Sequence, residues 1–229
     1  MSFAIPIDVA QRVEEQILRM GQVRHARLGV AVQGVNQNLA KAFKLDKPAG
    51  ALIGDVEKGS AADRAGLHSG DVVMAVNGQA IDLSGDLPAI VGLSMPGDVL
   101  AIDVWRQGAR HTLQARLDDA KQPPTRKANA GEGNNTPNSN PSGPLGPALR
   151  LLNPEEKRQS GLTNGLLIEG VSGAAAHAGV QPSDLLLAIN GEPVRGLAQA
   201  GAAARGTGPS AAILVQRGML KLYVPLRLG

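Results

Sequence analysis

The chain has 229 residues, more than one hydrophobic core usually organises, so two domains of roughly 100 residues each are expected. With 43% hydrophobic and 19% charged residues it is too apolar to be wholly disordered, and the absence of cysteine excludes disulfides, thiolate nucleophiles and cysteine-based zinc sites. A formal charge of +3 spread along the chain, with only Phe3, Phe43, Trp105 and Tyr223 as aromatics, provides neither a phosphate-tracking surface nor base-stacking platforms, which argues against nucleic acid as a partner.

In chain order, Ser2 to Ile7 (SFAIPI) reads as a strand. Asp8 then caps a helix with Gln11 at capping-box distance, and Val9, Val13 and Ile17 recur four apart until Gly21 ends it. Residues 1–20 therefore form a lead-in element. Next come apolar or β-branched runs bounded by glycine, proline or aspartate: Leu28–Val32, Ala51–Val56, Val72–Val76 and Val99–Val104, each predicted as a strand. Ser60 caps a short helix through Ala65, closed by Gly66, and a second helix runs from about Leu83 to Leu93 with Leu87, Ile90 and Val91 on one face and Pro88 in its first turn. Residues Lys121 to Gly143 contain no apolar side chain larger than alanine, so residues 119–143 are assigned to a flexible linker. No apolar run reaches the roughly 18 to 20 residues of a membrane span, and the N-terminus lacks the basic and apolar regions of a signal peptide.

The segments on either side of the linker repeat each other. GSAADRAGLHSGDVVMAVNGQ (Gly59 to Gln79) matches GAAAHAGVQPSDLLLAINGE (Gly173 to Glu192), with Gly66 and Gly179, Asp71 and Asp184, and Asn77 and Asn190 at one constant offset. VWRQG (Val104 to Gly108) then finds its counterpart in VQRG (Val215 to Gly218), so the chain holds two copies of one fold. Asn77-Gly78 and Asn190-Gly191 are the turn dipeptides of the two copies.

Both copies resemble PDZ domains. The resemblance rests on Gly59, Ser60, Ala62, Ala65, Gly66, Leu67, Gly70, Asp71, Val72, Val73, Val76, Asn77 and Gly78, with a short apolar-Gly-apolar loop opening the first strand. The lead-in SFAIPI and the order helix, PDZ, linker, PDZ further resemble the C-terminal part of HtrA/DegP-type serine proteases. The implied fold is α+β and mostly β: two small, partly open β-barrels or sandwiches with two helices each, spanning residues 21–118 and 144–229 and folding separately on their tether.

In the first copy, successive backbone N–H groups around Leu28-Gly29-Val30 make a nest suited to a carboxylate, and a peptide ending there continues as an added strand beside Val30 to Val32. Gly29 allows the tight turn and close approach. Leu28, Val30, Leu87 and Val91 are the expected apolar pocket, and Arg27 adds attraction for a terminal charge. The alternative is that Leu28 and Val30 are ordinary core residues and Arg27 a solvated charge. In the second copy the loop reads Pro144-Leu145-Gly146-Pro147; Pro147 stands where Val30 stands in the first and has no N–H, and Ser183 replaces the glycine before Asp184. Leu145 and Gly146 are thus the second copy's weaker candidates, and an internal contact or docking on another domain or subunit is the more economical role there.

No catalytic residue is assigned. His25, His68, His111 and His177 are scattered, without H-E-x-x-H spacing, and neither a G-x-S-x-G nor a Walker motif occurs; no metal site or cofactor is expected. The GNSGGP-like loop that carries the nucleophile in HtrA-type proteases is also missing. The resemblance implies a peptide- or unfolded-protein-binding tandem module, the substrate-recognition and regulatory part of a periplasmic serine endopeptidase acting in protein quality control. Its implied partners are unfolded or C-terminal peptides, a protease domain in cis or trans, and further copies of itself. The alternative is a stand-alone PDZ adaptor or oligomerisation module.

Overall fold

The computed structural model describes residues 25–120, 147–160, 165–205, 210–218 and 220–227. The expected lead-in strand and capped helix, the segment from Lys121 onward assigned to the linker, and the loop positions Leu145 and Gly146 lie outside the described residues.

The first half runs β1 (Ala26–Arg27), β2 (Val30–Gly34), α1 (Gln37–Ala42), β3 (Ala51–Val56), α2 (Ala61–Arg64), β4 (Val72–Val76), β5 (Gln79–Ala80), α3 (Asp86–Leu93), β6 (Val99–Arg106), β7 (Ala109–Arg116) and β8 (Asp118–Asp119). The second runs β9 (Pro147–Leu151), α4 (Pro154–Ser160), β10 (Leu166–Val171), α5 (Gly173–His177), β11 (Leu185–Ile189), β12 (Glu192–Pro193), α6 (Leu197–Arg205), β13 (Ser210–Arg217) and β14 (Leu220–Arg227). The antiparallel sheets have matching orders, β2-β3-β4-β6-β7 and β9-β10-β11-β13-β14, with β5 and β12 pairing beside β4 and β11. Among the described residues neither sheet closes into a barrel. The repeat seen in the sequence is therefore a repeat of topology, and among the described residues both sheets leave their own first strand, β2 or β9, at an open edge.

Several local expectations meet adjustments with clear causes. The predicted strand over Leu28–Val32 starts only at Val30, because Gly29 at φ +82° interrupts it, and a separate short strand, β1, precedes the break. Each half has a third short helix that the strand-rich reading missed, α1 and α4. Asn36 caps α1 by accepting from the N–H groups of Asn38 and Leu39, and Asn153 with Glu156 forms a reciprocal capping box ahead of α4. α3 starts at Asp86, three residues later than expected from Leu83, because the Asp86 carboxylate accepts the N–H groups of Asp82 and Leu83 and closes the turn before it. Asp119, assigned to the linker, pairs with Ala26 in the β1–β8 ribbon.

One ion pair is built twice. Asp71 is 1% exposed and accepts both Nε (2.6 Å) and Nη2 (2.7 Å) of Arg106, while Arg106 Nη2 also reaches Gly66 O at 2.7 Å. Asp184, likewise 1% exposed, holds Arg217 in the same fork, and Arg217 reaches Gly179 O. Each carboxylate also accepts a loop N–H, from His68 or Gln181, so a single buried acid ties the turn after the short helix to the end of a long strand. The carboxylate hydrogen bond raises the pKa of both arginines.

Each half has its own apolar core, one around Ile53, Leu87 and Ile102, the other around Leu166, Ile189 and Ile213. A third cluster is shared: Leu39, Ala42, Phe43, Leu52 and Val72 of the first half meet Ala188, Ala212, Leu214 and Tyr223 of the second. The two copies are thus docked rather than independent beads on a tether. The Phe43 and Tyr223 rings meet edge to face with centroids 5.4 Å apart, and Trp105 Nε1 donates to Phe43 O at 2.9 Å. Gln33 on β2 uses both ends of its amide on one residue: Nε2 donates to Tyr223 O (3.1 Å) and Oε1 accepts from Tyr223 N–H (2.8 Å). That amide occupies the outer edge of β14, where Pro225 contributes no N–H, so the first half covers an edge that would otherwise be open. Arg227 to Asn38 and Lys221 to Asp55 complete the contact.

Candidate functional site

The edge strand β2 and the helix α3 border a groove in the first half. The Glu57 N–H donates to Gly29 O at 2.9 Å, and Ala31 pairs with Asp55, which fixes the phase of the ladder. The Gly29 carbonyl and the main-chain groups of Ala31 therefore face β3, while Val30 and Val32 turn theirs to the open edge. Side-chain alternation then sends Val30 and Val32 toward the first core and α3, and Ala31 and Gln33 to the opposite face.

A cavity of about 370 Å³ lies along this strand, and Arg27, Leu28, Gly29, Val30, Val32, Leu87 and Val91, the seven residues picked out in the first copy, all line it. Ala26, Ala31, Asp55, Glu57, Pro88 and Gly92 line it too. Asp55 and Glu57 escaped the sequence reading because they sit at and beyond the end of a strand. Only the pairing of β2 with β3 brings them beside the loop.

Three of the sequence arguments change in their physics. Leu28 is 3% exposed and belongs to the first core, so it forms the groove's floor as a core residue, and its carbonyl is held by the Ala62 N–H at 2.9 Å. Arg27 is not a freely solvated charge: it forms an ion pair with Glu57, which partly neutralises it at the mouth of the loop. Gly29 is demanded less by an approaching ligand than by the fold itself. A Cβ there would lie 2.3 Å from Ser60 Cβ, at a φ that side chains rarely adopt. Ser60 is also the N-cap of α2, so the loop and the helix are packed as a unit.

In the second half, Pro147 pairs with Val171, the last residue of β10, as Val30 pairs with Val56, the last residue of β3. The proline therefore stands where Val30 stands and offers no N–H to the edge. Further along β9, Arg150 is committed to Glu169 (2.8 Å) and Glu156 (2.7 Å), tying the edge strand to β10 and α4. The docking of this half on the first uses β11, β13 and β14, away from the β9 edge of its sheet. Ser183 adopts φ +74° without a glycine, whereas its counterpart Gly70 (φ +97°) faces the other half: a Cβ there would lie 2.9 Å from Tyr223 Oη and 3.0 Å from Gly191 Cα.

Tyr223 is 3% exposed, and burial pushes its pKa up to about 12, against the opposing effect of the hydroxyl of Ser69 at 3.4 Å. Among the described residues no group of three or more His, Asp or Glu is placed to hold a metal ion, and no helix is long and apolar enough to cross a membrane.

Two family models, both described as PDZ domain, match residues 16–105 and 168–217. A probable periplasmic serine endoprotease, DegP-like, of Hahella chejuensis is 40% identical over 200 residues, covering 87% of this chain and 42% of the relative. The protein of the same description from Ectopseudomonas mendocina is 38% identical over 195 residues, covering 85% of this chain and 41% of the relative. The chain thus spans about two fifths of the length of these curated relatives. Among solved structures, the HtrA-type protease AlgW with a decapeptide is 31% identical, with 53% of this chain and 37% of that chain covered at a TM-score of 0.45.

Proposed function

We propose that this chain, which carries the paired PDZ domains of an HtrA/DegP-type serine endoprotease, uses the first of them to capture extended peptides with a free, apolar C-terminus. The observation that carries the reading is the open edge of β2 running along a groove with an apolar floor of Leu28, Val30, Leu87 and Val91. An incoming strand pairs with the outward main-chain groups of Val30 and Val32, its terminal carboxylate meets the N–H groups of the Leu28-Gly29-Val30 turn, and alternate side chains enter the groove. The chemistry selects unfolded or newly cut chains, because only those present an extended end with an exposed apolar residue. On this reading the chain is the substrate-recognition and regulatory part of a periplasmic endopeptidase, and it contributes binding rather than bond cleavage.

The test is a titration of the intact chain with a peptide ending in an apolar residue, paired with the same peptide amidated at its C-terminus. Binding on the order of micromolar, about −8 kcal/mol, is expected for the acid. Amidation should weaken it at least tenfold, since a charge-assisted hydrogen bond contributes about 1.5 to 3 kcal/mol. Equal affinity for the two peptides would replace terminal capture by internal strand addition, and absence of binding to either would remove the peptide reading altogether.

A further inference from the structure

The face of β2 turned away from α3 meets the second half of the chain. Ala31 is exposed and small, and its β3 partner Asp55 projects on the same face and lines the groove. Asp55 Oδ1 accepts Lys221 Nζ from β14 at 2.6 Å as well as the Val56 N–H at 3.0 Å. The contact is close: a Cβ placed on Gly54, beside Asp55, would lie 3.3 Å from Lys221 O. A peptide strand added to β2 lies roughly 10 Å from β3, two strand spacings away. Over the short Ala31 side chain, a long ligand side chain facing away from α3 reaches Asp55 and Lys221. Both ions of the pair keep about a quarter of their side-chain surface in solvent, so each can exchange partners.

We propose that ligand side chains facing away from α3 are selected by the Asp55–Lys221 pair, so that the second PDZ domain supplies one of two opposed charge determinants of the first domain's peptide site. This deepens the peptide-binding reading and rests on it. A basic side chain, at the penultimate position or two residues before it, competes with Lys221 for Asp55; an acidic one competes with Asp55 for Lys221. Neutralising either protein residue leaves the other in control.

The experiment measures the ratio of dissociation constants for two peptides of the intact chain, identical except for glutamate or lysine at the penultimate position, with an alanine peptide as reference. In Lys221→Met, Asp55 is freed and the Glu-to-Lys ratio of Kd should rise about three- to fivefold over the parent, the scale of a partly exposed ion pair. In Asp55→Asn, Lys221 is freed and the ratio should fall by a similar factor. Opposite shifts in the two variants support the proposal. If the alanine peptide binds all three chains while the ratio stays constant, or moves the same way in both variants, the charge-pair proposal is overturned and the peptide reading stands. If the parent binds none of the peptides, the peptide reading falls, and the proposal with it.

Discussion

The docking of the two halves makes a sharp prediction about Gly70→Ser. In the second copy a serine, Ser183, already occupies the matching position at φ +74°, so this loop carries a side chain there within a folded domain. At Gly70 the added Cβ would lie 2.9 Å from Tyr223 Oη and 3.0 Å from Gly191 Cα, against groups that belong to the other half. The substitution should therefore separate the halves while each keeps its own core. Tyr223 reports the event, because it is the chain's sole tyrosine and docking is what buries it. Burial raises its pKa from 10.0 to about 12 in the docked state. A displacement of that size corresponds to roughly 3 kcal/mol. The raised group is an acid that keeps its proton in the docked form and loses it earlier in the exposed one. Its contribution is therefore complete below pH 10 and declines as pH rises toward about 12. The assay is a spectrophotometric titration of tyrosinate absorbance, with Trp105 fluorescence as a second probe because its indole N–H is bonded to Phe43 O at the same contact. The parent chain should ionise near 12 and Gly70→Ser near 10. A parent midpoint near 10 in a chain that remains folded would refute the docked arrangement, and an unshifted midpoint in Gly70→Ser would refute the role assigned to Gly70.

Asp71→Asn keeps the side chain's shape but leaves Arg106 without its ionic partner, and about 2 to 4 kcal/mol of stability should be lost from the first half. Denaturant unfolding followed by Trp105 fluorescence measures this, and a loss below roughly 0.5 kcal/mol, within the scatter of ordinary surface changes, would show that the buried fork is not structural. Gly29→Ala should destabilise the first half by about 1 to 3 kcal/mol even with no peptide present, since its Cβ meets Ser60 Cβ at a positive φ. A thermal melt unchanged from the parent would return Gly29 to a role in ligand approach alone. Finally, Pro147→Val restores the N–H that the open edge of β9 lacks and should strengthen peptide binding to the second half about tenfold, detected by titrating the intact chain in a Val91→Arg background that closes the first groove. No second binding event in that background would mean that the missing donor is not what limits β9.

What the sequence determines by itself is local or repetitive. The two copies follow from a constant offset and from apolar runs punctuated by glycine and proline. Asn77 and Asn190 at φ 51° and 50°, Pro88 in the first turn of α3, and the Ser60 cap of α2 are short-range chemistry, legible because each depends on a few neighbouring residues. Val30 and Val91 were placed beside one groove by strand and helix periodicity combined with the family resemblance. The partners of the polar and charged residues were not legible in this way. Arg27 with Glu57, Asp55 with Lys221, and Gln33 with Tyr223 join positions far apart in the chain, and no local pattern states which strand will lie alongside which. One trace of the docking was present: Ala211 to Val215 is a continuous apolar run, the mark of a strand covered on both faces, and all five side chains are buried. The run shows that a second cover exists but not what supplies it. Tertiary structure decides that, because the first half offers Leu39 and Phe43 of the α1 region beside Leu52 of β3, and an apolar face is buried by whichever complementary surface the folded chain brings to it.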